Sequence, residues 1–344
     1  MEGISTPKMR SERVVLEANT NYWDRNRFPQ VQRVVFDNTL GQKEALEHVK
    51  TGEGRVDLVT DLSPLETLRV AQSPHAKVVK NRGALMTVFG QFNLRKTGSP
   101  WRDVRLRQAM NFAINRADLI RYATKGNGEI IPALLPVNAS SYDATLAPYP
   151  FDPQKAQHLL RNAGYPDGLA VTLIAPEELE IQATVVGKML EGIGLTVKRE
   201  MLEPAAYNQK TLLSDLDQPA ERQAWDIALI SHTDWAKIPV LNFYQHYLLG
   251  GPYDWGGEKP ELQRLYAESL RTVDSERQQA LIQQMERQTH KQAYALFLYN
   301  PIQLSAVNKA VEFVPYQGSN LTLAETSVTT QHWSVRKQKA AGSE

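Results

Sequence analysis

The chain has 344 residues, 42% of them hydrophobic and 22% charged, with 39 basic against 38 acidic side chains and a net charge of +1. That balance is ordinary for a globular protein and lacks the basic excess of a dedicated nucleic-acid binder. With no cysteine in the chain, disulfides, thiolate nucleophiles and cysteine-based zinc sites are excluded.

In chain order, "RVVLEAN" (13–19) and "VQRVVFD" (31–37) read as β-branched strands around the polar, aromatic connection "TNYWDRNRFPQ". "GQKEALEHVKTGE" reads as a short helix ending near Gly52, "RVDLVTDLSP" as a strand and "LETLRVAQS" as a helix. "AKVVKN" and "LMTVFGQFNL" read as further strands.

Leu106, Ala109, Met110, Ala113, Ile114, Ala117 and Ile120 then recur at helical spacing. They predict one continuous buried stripe of about four turns, with Asp103 as N-cap. Arg105 and Arg116 fall off the stripe and Arg107 borders it, so the expectation is a core helix with a solvated basic face.

The Pro-punctuated stretch 127–153 reads as a long ordered loop. "DPQKAQHLLRNAGY" is a helix with Asp152 as N-cap, Pro153 at the first helical position and Gly164 at its end. "LAVTLIAP", "EIQATVVGKMLEGIG" and "LTVKREML" form a strand–helix–strand run, the mark of a mixed α/β sheet. "WDIALISHTDW" (225–235) is a buried strand with a polar end. A helical pair broken near "TVDSE" follows, then one strand region, "AYALFLYNPIQLSAVN", and a polar tail. No run approaches the roughly 20 apolar residues of a membrane span. "MEGISTPKMRSERVV" lacks the apolar core of an export signal, so a soluble chain without such a signal is expected.

Neither catalysis nor metal binding is expected. There is no Gly-x-Ser-x-Gly elbow and no Walker loop, and the seven histidines form no tight ligand motif. The acids of "EELE" (177–180) read as a helix opening. Trp225, Trp235, Phe243, Tyr244, Tyr247, Tyr253 and Trp255 crowd one region, either as cleft walls or as ordinary core.

Taken together, "RVVLEANTNYWDRNRFPQVQRVVF", "TGEGRVDLVTDLSP", "FNLRKTGSPWRDVRLRQAMNFAINR", "FDPQKAQHLLRNAGYPDG" and "DSERQQALIQQMERQTHKQAYALFLYNP" resemble the family 5 extracellular solute-binding proteins of ABC importers, the oligopeptide, dipeptide and nickel-binding class. The resemblance implies an α/β fold of the type II periplasmic-binding-protein kind, with mixed sheets flanked by helices. It implies a first-lobe remnant at 1–37, a C-terminal lobe at 38–312, a return to the first lobe at 313–335 and a disordered tail at 336–344. The strands near both termini would share one sheet. The family's N-terminal third, with its export signal and most of the first lobe, has no counterpart here, which reads as a truncated product or a part supplied by another chain.

The implied function is to bind a peptide-like solute, an oligopeptide by preference, in an interlobe cleft and deliver it to a membrane permease. The implied protein is a monomer with no cofactor and no nucleic-acid partner. Its place would be the periplasm or cell surface, or the cytoplasm if the chain is complete without a signal. A sensory domain of a regulator, or a non-binding remnant, is the alternative.

The resemblance places a carboxylate for the ligand's ammonium at Asp234, with Trp235 beside it and His232 two residues earlier on the same strand face. Asp234 reads equally well as a turn cap. Phe92 and Asn93 end a strand that faces the cleft in the family, and simple packing is the competing reading for both.

Overall fold

The computed structural model describes residues 12–24, 26, 28–52, 54–233, 239–316 and 321–336. Its strands are β1 (Arg13–Glu17), β2 (Arg33–Asp37), β3 (Leu58–Val59), β4 (Ala76–Asn81), β5 (Met86–Phe92), β6 (Gly128–Ile130), β7 (Ala170–Pro176), β8 (Thr196–Leu202), β9 (Ile227–Thr233), β10 (Ala295–Pro301), β11 (Gln303–Asn308), β12 (Val311–Glu312) and β13 (Ser327–Val328). The helices are α1 (Gln42–Val49), α2 (Thr67–Ala71), α3 (Val104–Ala113), α4 (Arg116–Thr124), α5 (Pro153–Asn162), α6 (Glu180–Glu191), α7 (Pro204–Thr211), α8 (Pro239–Leu248), α9 (Pro260–Arg271) and α10 (Ser275–Lys291).

These elements form two units, Ala84–Ile302 and the pair of segments Met1–Gly83 and Gln303–Glu344. The sequence reading drew its boundaries at 37 and 312 instead. The difference comes from strand pairing, because β3 and β4 both pair with β11. The single strand region expected at 293–308 is therefore two strands in two units, broken at Ile302.

Ala84–Ile302 is built on a six-stranded sheet in the order β6-β10-β5-β9-β7-β8. β7 pairs in parallel with both β8 and β9, while β5 runs antiparallel to β9 and β10. β5 and β10 are buried along nearly their whole length, as central strands covered on both faces must be. Gly168 leads into β7 at φ 80°, and a Cβ there would lie 1.9 Å from Gly194 O. That close approach lets Thr196 N–H bond Leu169 O at 3.1 Å and starts the parallel β7–β8 ladder.

α5 begins as its sequence predicts: Asp152 accepts the Lys155 N–H at 2.8 Å with Pro153 in the first turn, and Gly164 closes the end at φ 95°. The expected four-turn helix does not form as one piece. Ile114 leaves the helical region at ψ 115°, and Asn115 caps a new helix by accepting the Asp118 N–H at 3.1 Å. The apolar stripe continues across the break, which is why periodicity alone read it as continuous.

The expected solvated basic face is also corrected. Arg105 stays at the surface, paired with Asp103 at 2.6 Å, but Arg107 and Arg116 are only 4% and 3% exposed. Arg107 donates to Gln292 O (2.8 Å) and Ala293 O (3.1 Å), just past the end of α10. Arg116 donates to Phe297 O (2.8 Å), Tyr149 O (3.0 Å), Asn111 O (3.2 Å) and Asn111 Oδ1 (3.0 Å). A planar guanidinium with five donors can satisfy carbonyls left over at helix ends, so burial does not need a carboxylate partner. Burial pulls the Arg116 pKa down to about 10, which leaves it charged near neutrality.

The other unit contains the β1–β2 hairpin, the β3-β11-β4 sheet and the β12–β13 pair. The strands near the two termini therefore belong to one unit but not to one sheet, contrary to expectation. His332 Nε2 bonds Asp57 Oδ1 at 3.0 Å and ties the C-terminal turn into this unit.

Candidate functional site

The parallel strands β7 and β9 pair with Ile174 opposite Ala228; β7 ends at Pro176, and β9 runs on three residues past that level to Thr233. In open α/β sheets, ligands gather at the carboxyl ends of such strands. Beyond β7 the chain makes a tight 3₁₀ turn, Glu177–Leu179, that opens α6; beyond β8 it enters α7 at Pro204. These turns and the end of β9 enclose a cavity of about 200 Å³. Its polar and aromatic walls are Glu178, Tyr207, Asn208, Ser231, Tyr247 and Tyr253, all within Ala84–Ile302.

The walls are braced from below. The Tyr247 and Tyr253 rings stack at 5.3 Å, and the Gln91 amide of β5 donates to the backbone carbonyls of both residues. The Tyr207 hydroxyl donates to Leu229 O at 2.7 Å. Burial is the main cause that raises all three tyrosine pKa values, so these walls stay neutral phenols.

His232 lies beside this wall. Its ring meets Phe243 and Tyr247 edge-on at 5.0 and 5.3 Å, and its Nδ1 is 3.2 Å from the Tyr247 hydroxyl. Its Nε2 is buried with no hydrogen-bond partner among the described residues. Burial drives its pKa down to about 4, so the imidazole is neutral at pH 7.

The other expected site residues divide into two groups. Asp234 and Trp235 follow β9 directly in the chain and lie outside the described residues. Phe92 and Asn93 are 1% and 0% exposed. Phe92 stacks on Trp101 at 5.2 Å. The Asn93 side chain donates to Trp225 O at 3.1 Å and accepts the Arg95 and Lys96 N–H groups at 3.1 and 3.0 Å. Both side chains are thus engaged in packing and a turn, the competing reading for them, and neither is among the described residues that line the cavity.

Sequence reasoning named Tyr247 and Tyr253 within an aromatic cluster but missed Glu178, Tyr207, Asn208 and Ser231. The one available signal was the strand–helix–strand run whose ends they occupy. Trp225 and Trp255, from the same aromatic cluster, pack on each other at 4.6 Å in the core. Among the described residues there is no cluster of three or more His, Asp or Glu suited to a metal, and no helix long and apolar enough to cross a membrane.

Residues 8–255 match the family model described as bacterial extracellular solute-binding proteins, family 5 Middle. The chain belongs to that family. It is a family of binding proteins rather than enzymes. The heme-binding protein A of Haemophilus influenzae is 30% identical over 151 residues, 44% of this chain and 26% of the relative. The glutathione-binding protein GsiB of Pectobacterium atrosepticum is 28% identical over 160 residues, 46% of this chain and 30% of the relative. Among solved structures, the ABC transporter-associated periplasmic binding protein DppA of Helicobacter pylori, in complex with the peptide STSA, superposes with a TM-score of 0.72 at 21% identity, covering 92% of this chain and 60% of DppA. The family 5 chain thus has the mixed α/β fold of the type II periplasmic binding proteins. It spans under a third of the length of these two curated relatives.

Proposed function

We propose that this family 5 chain is the solute-binding component of an ABC importer and takes a peptide-like small solute at the carboxyl ends of β7 and β9. It would act as a monomer at the cell surface or in the periplasm and pass its solute to a membrane permease. The observation that carries this reading is the tyrosine-walled cavity at those strand ends, in a chain whose family binds solutes. A small concave site with aromatic walls and a few polar groups suits a ligand held by shape with limited polar anchoring.

In this reading Asp234 supplies the carboxylate for a peptide's free ammonium, with Trp235 next to it in the chain and neutral His232 two residues before it. An acetylated peptide has no such ammonium. Calorimetry is expected to show trialanine binding and N-acetyl-trialanine failing to bind. Asp234→Asn is expected to weaken trialanine by about 2 kcal/mol, the lower end for losing one partner of a desolvated pair. Equal binding of the two peptides, or no effect of the substitution, would return Asp234 to the role of a turn cap.

A further inference from the structure

The geometry points to a cavity that selects a cationic group, a guanidinium or ammonium carried by the solute. This deepens the solute-binding reading above and rests on it.

Three observations carry the inference. First, among the described residues lining the cavity, Glu178 alone is charged, and none is lysine, arginine or histidine. Second, Tyr207, Tyr247 and Tyr253 surround the same space. Neutral aromatic rings attract a cation through their electron-rich faces, and a carboxylate at the rim adds a directional partner for it. Third, at about 200 Å³ the cavity is smaller than pockets that enclose whole drug-sized ligands. It suits one side chain or terminal group.

The competing reading is an anion at the start of α7, where a helix end offers positive potential. The local chemistry opposes it. Pro204 has no N–H to give, the Tyr207 N–H is already bonded to Glu203 O at 2.8 Å, and Glu178 shares the same rim. Among the described residues, an anion would meet no cationic partner there and one fixed negative charge. Asn208 and Ser231 add neutral acceptors that a guanidinium can use.

The test compares Ala-Arg-Ala with Ala-citrulline-Ala, whose urea group has the shape of a guanidinium without its charge. The arginine peptide is expected to bind about tenfold more tightly. Glu178→Gln should remove most of that preference, so that the two peptides bind with similar affinity. Equal affinities would overturn the cation pocket and leave the peptide reading standing. If neither peptide binds, the peptide reading falls, and methylguanidinium against methylurea decides the pocket, followed by the ring resonances of Tyr207, Tyr247 and Tyr253. Saturable shifts with methylguanidinium alone would uphold it, and no difference between the two probes would end it.

Discussion

Glu286→Gln is expected to remove a pH-dependent loss of stability of about 3 kcal/mol between pH 4.5 and 7. Glu286 sits on α10, fully buried. Its Oε2 accepts the Leu134 and Leu135 N–H groups at 3.1 and 3.0 Å, and its Oε1 accepts the Tyr244 hydroxyl of α8. Burial raises its pKa from 4.5 to about 7; Tyr244 and the two amides pull the other way, and Asp143 adds a smaller upward push. The folded carboxyl thus holds its proton where the unfolded one has lost it. Between those two pKa values the folded state binds more protons, so stability falls as pH rises.

The network tolerates the neutral form, because Tyr244 is also 3.3 Å from Thr289 Oγ1 and can turn its proton there. Glutamine keeps both the shape and the amide acceptor without the charge. His232, held neutral by burial, acts in the opposite sense over much of the window, as stability rises with pH from about 4 to its unfolded pKa of 6.5. Subtracting the two proteins' urea-denaturation profiles between pH 4.5 and 8.5 isolates Glu286. A difference that does not change with pH would mean that the carboxyl ionises as freely folded as unfolded.

Arg116→Met is expected to cost about 3–5 kcal/mol, the range for removing one buried partner and stranding the others. Its guanidinium joins Asn111 at the end of α3, Tyr149 in the long loop and Phe297 in β10. Methionine restores most of the volume but leaves those carbonyls buried and unpaired. Lysine keeps the charge with three donors on one atom, which cannot span acceptors on three separate segments. Arg116→Lys should therefore recover less than half the loss. Urea denaturation followed by tryptophan fluorescence suits this unit, since Trp101, Trp225 and Trp255 are all buried in it. A loss below about 1 kcal/mol for methionine would mean that water takes over the carbonyls.

These two residues also show how far the sequence could be read. The β7–α6–β8 run was legible because periodicity, glycine ends and length agreed. The cap at Asp152 was legible because its signal is local. Arg107 and Arg116 were misread because a charged residue beside an apolar stripe is usually solvated, and several of the carbonyls that take them up, those of Gln292, Ala293 and Phe297, lie far along the chain. The unit boundary was missed for the same reason: nothing local in 293–308 records that its two halves pair with different sheets. For the site, strand ends were found but side-chain direction was not. Phe92 and Asn93 sit at a strand end that turns into the core, whereas Glu178 and Tyr207 meet only once β7, β8 and β9 have paired in parallel.

The β3-β11-β4 sheet has its middle strand last in the chain. During synthesis β3 and β4 emerge early, and neither pairs with the other. Their shared partner emerges only after all of Ala84–Ile302 has been made. That inserted segment can close on itself without β11, because β5 and β10 pair along their length and Asn300 bonds Met86 O near the two ends. The middle of the chain can thus finish folding while its beginning still waits, the reverse of the usual N-terminal-first order. A waiting strand is a template for unwanted pairing. β4 carries Lys77 and Lys80, the residue type that most discourages edge-to-edge association until the proper neighbour emerges.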